Sequence, residues 1–543
     1  MNIRINLLAV AFVAGTAGAL ACTSLIAGKK ATADGSVIIT YAADSHTLYG
    51  ELYNQPAADH APGSMRTVTE WDTGRHLGEI PEVAHTYRTM GNMNEHGLTI
   101  SESTWGGRPE LQGSGLIDYG SLIYITLQRA RTAREALNVM TSLVKDYGYA
   151  SSGESFSIAD ADEAWILELI GKGKADKGAV WVARRVPDDC IAGHANHARI
   201  HKFPLNDPET IYSPDVIDFA RKQGYFNGKD EDFSFSLAYA GIDGGALRGC
   251  DGRVWSFYNR HSDGMEPYLD WVLKGQGEPL PLWVKPTKPV SVRDMQWMMR
   301  DHFEGTPMDM TLDVGAGPYK VPYRWRPLTY EVDGVEYTHE RAIATQQTGF
   351  SFVSQMDATA PKGMRATLWF GVDDANTCVY IPVFCGSDSV PHEFAVGNGD
   401  LYNLSWDAAF WVNNYVANQA YNRYSQMIPD IRKVQSAIED SIAEEIPALR
   451  ARVAAMSDEE ASRELASYTA DRTTDYTKRY RSLGDYLFVK YLDGNTKLEK
   501  DGEFMRDDTG MPSSPKFEGY DERYYRQIAE DPNGGERLKS LKL

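Results

Sequence analysis

The alternation of apolar and polar positions divides the chain into a strand-rich first part and a helix-rich last part. Residues 22–26 read as a short strand, Ala33-Asp34-Gly35-Ser36 as a turn, and 37–41 as a second strand running back. Residues 46–70 read as loop with short strands, and 83–93 and 98–102 as further strands about the turn Asn94-Glu95-His96-Gly97. Residues 118–147 are helical. Thr132-Ala133-Arg134-Glu135 is a capping-box pattern, and Leu137, Met140 and Val144 recur on one face. Residues 121–130 form a separate helix or the first half of the same one. Strands 155–159, 165–170 and 180–185 follow, joined by short hairpin connections. Strands, then helices, then strands indicate an α+β layered domain and not an alternating doubly wound one.

Farther on, 211–224 contains a helix opened by Ser213-Pro214-Asp215, with proline at the first helical position. Residues 290–302 form another, capped by Ser291. Strand patterning returns at 342–353, 366–370 and 377–384. From Ser405 the pattern is helical, over 406–428, 431–456, 457–468 and 476–491. The stripe Ile431, Val434, Ile438, Ile442 is suited to packing on the core. The tail from Asp493 is polar. This predicts a leader at 1–21, a main domain at 22–400, a helical C-terminal region at 401–500 packed on it, and a peripheral tail at 501–543.

Composition adds limits. At 543 residues, with 42% hydrophobic and 24% charged, the chain is an ordinary globular protein with a large core. Its 30 Tyr, 12 Trp and 18 Phe favour folding throughout. A net charge of −20 argues against nucleic acid or an anionic membrane surface as partner. Of the five cysteines, Cys22, Cys190, Cys250, Cys378 and Cys385, the odd count leaves at least one unpaired, with Cys22 the candidate. Cys378 and Cys385 can pair only if the chain folds back between them. CxxC, GxSxG and GxxxxGK[ST] patterns are missing from the sequence, so redox, serine-hydrolase and nucleotide-binding readings lack support.

The N-terminus carries the sharpest chemistry. Arg4, the apolar run 7–20 and Ala19-Leu20-Ala21 read as an export signal cleaved before Cys22. The run is short and rich in Ala and Gly, unlike a membrane span. Cleavage would leave cysteine as the first residue. Its α-amine, with an ordinary pKa of about 7.7–8.0, then lies beside a thiol of about 8.5, so one residue holds a nucleophile and a base. Asp44, just past the second strand, is placed to orient that amine. From the leader alone, nucleophile, lipid anchor and structural half-cystine stand side by side. An anchor calls for a larger aliphatic residue three positions before the cysteine, where this chain has Ala19.

Three other stretches place polar residues in strand-like surroundings. In Gly193-His194-Ala195-Asn196-His197, the Asn196 amide can donate to an oxyanion without titrating, although a turn asparagine looks the same. His194 and His197 form an HxxH pair with no third ligand in a recognised pattern, so no metal is expected. Arg253, in Gly252-Arg253-Val254-Trp255, can hold a carboxylate or set a thiolate's charge, or make a surface ion pair. Asn94 and Glu95 make a tight turn or point into a cleft.

Taken in order, Cys22-Thr23, Gly35-Ser36, Asp44-Ser45, Met93-Asn94-Glu95, Asp118-Tyr119-Gly120, Arg134-Glu135-Ala136 and Val180-Trp181-Val182-Ala183 match a known pattern. It continues through Pro187-Asp188-Asp189, Gly193-His194-Ala195-Asn196, Arg253-Val254-Trp255, the run 300–307 and Trp369-Phe370-Gly371-Val372-Asp373-Asp374. The chain thereby resembles the secreted dipeptidase A group of cysteine peptidases, within the N-terminal nucleophile hydrolases. The resemblance implies an αββα sandwich of two antiparallel sheets between helical layers, with a helix-rich C-terminal extension. It implies Cys22 as nucleophile and, through its amine, base; Asp44 holding the amine; Asn196 as oxyanion donor; and Arg253 supporting the thiolate. Relatives commonly carry arginine three residues before the aspartate, where this chain has Tyr41. The place of their second oxyanion asparagine falls near Thr104. Tyr41 and Thr104 are therefore taken as substrate-facing, and Glu95 and Glu102 as acidic candidates for a substrate ammonium. The expected reaction is hydrolysis of dipeptides with a free amino terminus through a thioester. An N-acyl amide hydrolase of the same fold and a lipid-anchored surface binding protein are the alternatives. A small peptide is the expected partner, with no cofactor, no metal, no nucleic acid and no stable membrane insertion after export. A homo-oligomer is left open.

Overall fold

The structure, a computed structural model, describes residues 22–541 except 114, 175 and 243. The leader expected at 1–21 lies outside the described residues. The fold is mixed α+β. A seven-stranded antiparallel sheet runs in the order Trp283–Val284, Ile191–His194, Ser24–Ala27, Val37–Asp44, Thr348–Met356, Ala366–Val372, Ile381–Phe384. An eight-stranded sheet runs Thr210–Tyr212, Ala179–Arg185, Ala164–Gly171, Gly153–Ala159, Thr99–Gly106, Met93–Asn94, Thr89–Met90, Asn54–Gln55.

Strands Thr99–Gly106 and Gly153–Ala159 contact Val37–Asp44 of the other sheet, and polar side chains tie the two. Thr99 Oγ1 meets Ser354 Oγ at 2.9 Å. His194 is held between Ser103 Oγ (2.7 Å) and Ser157 Oγ (2.8 Å). Side-chain alternation puts these odd-numbered positions toward the first sheet. Ile100, Phe156 and Ile158 take the opposite face, where they pack with Leu137, Met140 and Val144 of the helix Ala133–Tyr147. On the outer side of the seven-stranded sheet, helices Gly252–His261, Val292–Met298, Ala409–Ala420 and Asp458–Lys490 contact Ile191–His194, Thr348–Met356, Ala366–Val372 and Ile381–Phe384 respectively.

Several boundaries differ from the sequence reading. The second strand reaches Asp44, because pairing with Thr348–Met356 continues through Ala42 and Ala43. The run 83–93 breaks into His85–Thr86, Thr89–Met90 and Met93–Asn94, since Tyr87 N–H bonds to Gln128 and Gly91, in a left-handed conformation (φ 55°), turns the chain to Tyr53. The strand expected from 342 begins at Thr348; the preceding residues form a loop, with Ala344 N–H donating to Asp301 O. Residues 457–491 form one helix, Asp458–Lys490, opened by a Ser457–Glu460 capping box. Ser291 caps Val292–Met298 in the same way. Thr132 caps its helix, but Glu135 reaches the Arg131 N–H, so the reciprocal half of the box is displaced by one residue. All five cysteines are free, Cys378 and Cys385 included. Among the described residues no helix is long and apolar enough to cross a membrane.

Candidate active site

Thr23 and Ala42 exchange backbone hydrogen bonds (3.2 and 2.9 Å), which extends the first strand pair to the N-terminal end of the described chain. Cys22 therefore sits beside Tyr41, its sulfur 3.6 Å from the phenol oxygen. Asp44, three residues on, is fully buried. One of its carboxylate oxygens accepts from Arg341, the other from Thr348 Oγ1 at 2.6 Å.

Arg253 is buried beneath Cys22 and satisfies acceptors from several segments. Nη1 donates to Cys22 O and Thr23 Oγ1, both at 2.7 Å. Nη2 donates to Ala195 O (3.1 Å) and Asn196 Oδ1 (2.9 Å), and Nε to Gly249 O (2.7 Å). Gly249 belongs to a π-helical turn, Gly245–Asp251, which leads directly into the helix Gly252–His261. Burial and the neighbouring Arg341 pull the Arg253 guanidinium down to about 9, which leaves it charged at neutral pH. Asn196 has φ 59°, a left-handed conformation asparagine tolerates, and its Nδ2 donates to Thr104 O at 2.6 Å.

The sulfur side is acidic. Tyr41 OH donates to Glu102 Oε1, and Thr104 Oγ1 donates to Glu154 Oε2 at 3.1 Å. Burial, then Glu102 and Asp44, hold the Cys22 thiol well above its ordinary range. Burial likewise raises Glu102 and Glu154; the charge of Glu102 and the hydrogen bond between the two push Glu154 up further, while the same hydrogen bond favours the ionised form of Glu102.

Cys22, Tyr41 and Asp44 line a cavity of about 530 Å³. Its walls are aromatic: Trp71 stacks on Tyr124 with centroids 4.5 Å apart, Tyr53 meets Trp71 edge-on at 4.9 Å, and Tyr49, Tyr119 and Phe350 complete the surface. Asp118 caps the helix Tyr119–Leu127 and also accepts from Trp71 N–H (2.8 Å), so it fixes the Trp71 loop to that helix. Two further carboxylates face the cavity. Asp72 accepts from Tyr119 OH at 2.8 Å, and Glu51 accepts from Gly397 N–H at 2.7 Å. Burial raises the pKa of both. A concavity of about 700 Å³ between the long C-terminal helices and the Glu499 hairpin is larger, but no cysteine lines it.

The structure thus brings Cys22, Tyr41, Asp44, Asn196, Arg253, Thr104 and Glu102 into one hydrogen-bonded neighbourhood. Thr104, Glu102, Asn196 and Arg253 stand behind the cavity wall and do not line it. Glu95 lies apart, accepting from Arg88 N–H at 2.9 Å. Asn94 is buried in its turn, donating to Leu127 O and Ala130 O (both 2.7 Å), and does not point into the cleft. His194 and His197 do not converge, since His197 pairs with Asp251 at 2.9 Å. Sequence reasoning missed Arg341, Thr348, Glu154, Asp72 and Glu51. No local pattern marks Arg341, which lies 297 residues from the carboxylate it binds.

Comparison with known proteins gives a consistent assignment. Residues 21–437 match Peptidase family C69. A probable dipeptidase of Latilactobacillus sakei is 24% identical over 444 residues, covering 77% of this chain and 85% of that protein. A probable dipeptidase of Salmonella dublin is 24% identical over 68% of this chain and 82% of its own length. Dipeptidase A of Lactobacillus helveticus is 24% identical over 56% of this chain and 66% of its own.

Proposed function

The chain belongs to peptidase family C69, a family of cysteine peptidases, and from that premise we propose that it is a dipeptidase whose nucleophile is Cys22. The observation that carries the reading is the placement of the Cys22 sulfur in the cavity wall beside Asp44, with aromatic and acidic surface opposite. Cleavage before Cys22, following export, would turn its peptide nitrogen into an amine that Asp44 orients. The two contacting sheets with helices on their outer sides support reading the fold as the N-terminal nucleophile αββα sandwich. We take residues 22–400 as its catalytic unit.

In this mechanism the amine takes the thiol proton as sulfur attacks the scissile carbonyl, forming the C–S bond. The oxyanion donor we assign is the Asn196 amide, which Arg253 and Thr104 hold behind the cavity wall and which must turn toward the cavity to donate. The carbon–nitrogen bond then breaks as the ammonium returns its proton to the leaving amine. Water, deprotonated by the same amine, hydrolyses the thioester. Asp72 and Glu51 are the carboxylates placed to meet the substrate's ammonium, in place of Glu95 and Glu102.

Intact mass of the exported protein, with assays of Cys22→Ala and Cys22→Ser on a dipeptide panel, tests the reading. A mature chain starting at an unmodified Cys22 and loss of cleavage in the alanine variant are expected. A diacylglyceryl mass on Cys22, or an alanine variant of undiminished activity, would overturn it. Cleavage of N-acyl amides without dipeptides would reassign the substrate.

A further inference from the structure

Two carboxyl groups occupy positions where the fold supplies no compensating charge. Glu102 and Glu154 lie on adjacent strands, Glu102 opposite Phe156 and Thr104 opposite Glu154, on the face that otherwise carries Ile100, Phe156 and Ile158. They are 1% and 0% exposed. Each has one oxygen satisfied, Glu102 by Tyr41 OH and Glu154 by Thr104 Oγ1. The other oxygens, Glu102 Oε2 and Glu154 Oε1, are buried and meet no donor. The two carboxyls are within hydrogen-bonding reach of each other. One proton between them satisfies both orphan oxygens at once and removes one of two adjacent buried charges. The titratable groups facing the pair are Cys22, Tyr41, Asp72, Tyr119 and Tyr149, all acids, with Asp44 beyond Cys22.

We propose that Glu102 and Glu154 share a single proton and, through Tyr41, set the charge state in which the Cys22 sulfur ionises. Both are positioning residues, and the assignment rests on Cys22 being the nucleophile. With the pair singly protonated, only one negative charge faces the sulfur across Tyr41. When the proton resides on Glu102, its Oε1 is a carbonyl-type oxygen and a weaker acceptor. The Tyr41 hydroxyl is then released to donate to the thiolate. With both carboxylates ionised, Tyr41 keeps its hydrogen on Glu102 and the sulfur faces an unshielded double charge. The proton never leaves the pair for substrate, so it acts on reactivity without being consumed.

The test is alkylation of Cys22 by iodoacetamide from pH 5 to 10, on the chain that starts at Cys22, followed by the mass of the Cys22 peptide. Glu154→Gln and Glu102→Gln each replace the shared proton with a permanent amide donor. Both are expected to track wild type within about twofold at neutral pH and to exceed it by about tenfold at alkaline pH, the effect of about one pKa unit. Tyr41→Phe should slow alkylation about tenfold and reduce the alkaline gain of Glu154→Gln, leaving the part that the Glu102 charge exerts on the sulfur directly. Profiles that superimpose with wild type over the whole range, or a tenfold loss at pH 7 in both folded glutamine variants, would overturn the proposal. Alkylation needs no peptide, so failure of the dipeptidase reading would leave this result standing and the reverse.

Discussion

Arg341→Met isolates the electrostatics that hold Asp44. Asp44 is fully buried and Arg341 is 6% exposed, and the guanidinium is the charged partner of one carboxylate oxygen. After substitution Asp44 keeps Thr348 Oγ1 on the other oxygen, the Gln347 amide on its backbone carbonyl, and the longer-range attraction of Arg253 and Arg326. Removing one partner of a buried pair costs about 3–5 kcal/mol, because the other charge stays uncompensated. The Ala342 carbonyl also loses its donor, 2.8 Å away, worth about 1 kcal/mol. Asp44 borders the cavity, where water softens the penalty, so the lower end, about 3 kcal/mol, is expected. Asp44→Asn removes the charge that makes the loss expensive. The double variant Asp44→Asn/Arg341→Met should therefore be more stable than the sum of the singles by about 2 kcal/mol. Urea midpoints at constant slope measure all four corners of this cycle. Arg341→Met within 1 kcal/mol of wild type, or a strictly additive double variant, would refute the reasoning; both thresholds rest on the scatter of additive pairs, about 0.5 kcal/mol.

Two other outcomes follow from the site and the core. Asp72→Asn should raise KM for dipeptides about 10- to 100-fold with kcat little changed, the worth of a charge-assisted hydrogen bond to an ammonium; steady-state kinetics on free and N-acetylated dipeptides decide it, and an unchanged KM would remove Asp72 from substrate binding. Burial lowers His194 to about 3, so the folded state holds it neutral while the unfolded chain protonates near 6.5. Its stabilisation is complete above pH 6.5 and is lost as pH falls toward 3, at up to about 1.4 kcal/mol per pH unit. Urea midpoints between pH 6.5 and 5 should slope in wild type and slope less in His194→Gln, with the remainder set by the other lowered histidines, His201 (about 4) foremost.

What was legible in the sequence was local. Cys22, the turn at 33–36 and Asp44 lie within one strand–turn–strand unit, so short-range pattern places nucleophile and carboxylate together. The segregated order of strands and helices gave the α+β class for the same reason. Partners contributed from elsewhere were not legible. Side-chain alternation says that Glu154 shares a face with Phe156 and Ile158, and an apolar row with one carboxyl in it reads as an exposed edge until Glu102 is known to lie beside it. Arg341 falls just outside the stretch 342–353 patterned as a strand, and its contact with Asp44 spans 297 residues. Trp71 and Asp72 reach the cavity because Asp118 fixes their loop, a contact spanning 47 residues.

The position that departed from expectation, Tyr41, acquires a reason in this arrangement. Cations are gathered on one side of Cys22: Arg341 on Asp44, Arg253 on the Cys22 carbonyl and Thr23. Acids are gathered on the other, where Tyr41 contacts both the sulfur and Glu102, and Glu154 lies beyond. An arginine at 41 would meet Glu102 and form a fixed ion pair with it, leaving a permanently stabilised thiolate. A phenol gives no such fixed charge. With Cys22 as nucleophile, its sulfur then gains little from ionising alone, because burial and the acids oppose it. If the chain is cleaved before Cys22 as proposed, ionisation would become favourable as the new amine gains the proton, on the side that Asp44 occupies. The charge separation thus runs along one residue, from sulfur to nitrogen, and couples thiolate formation to the same amine that must later protonate the leaving group.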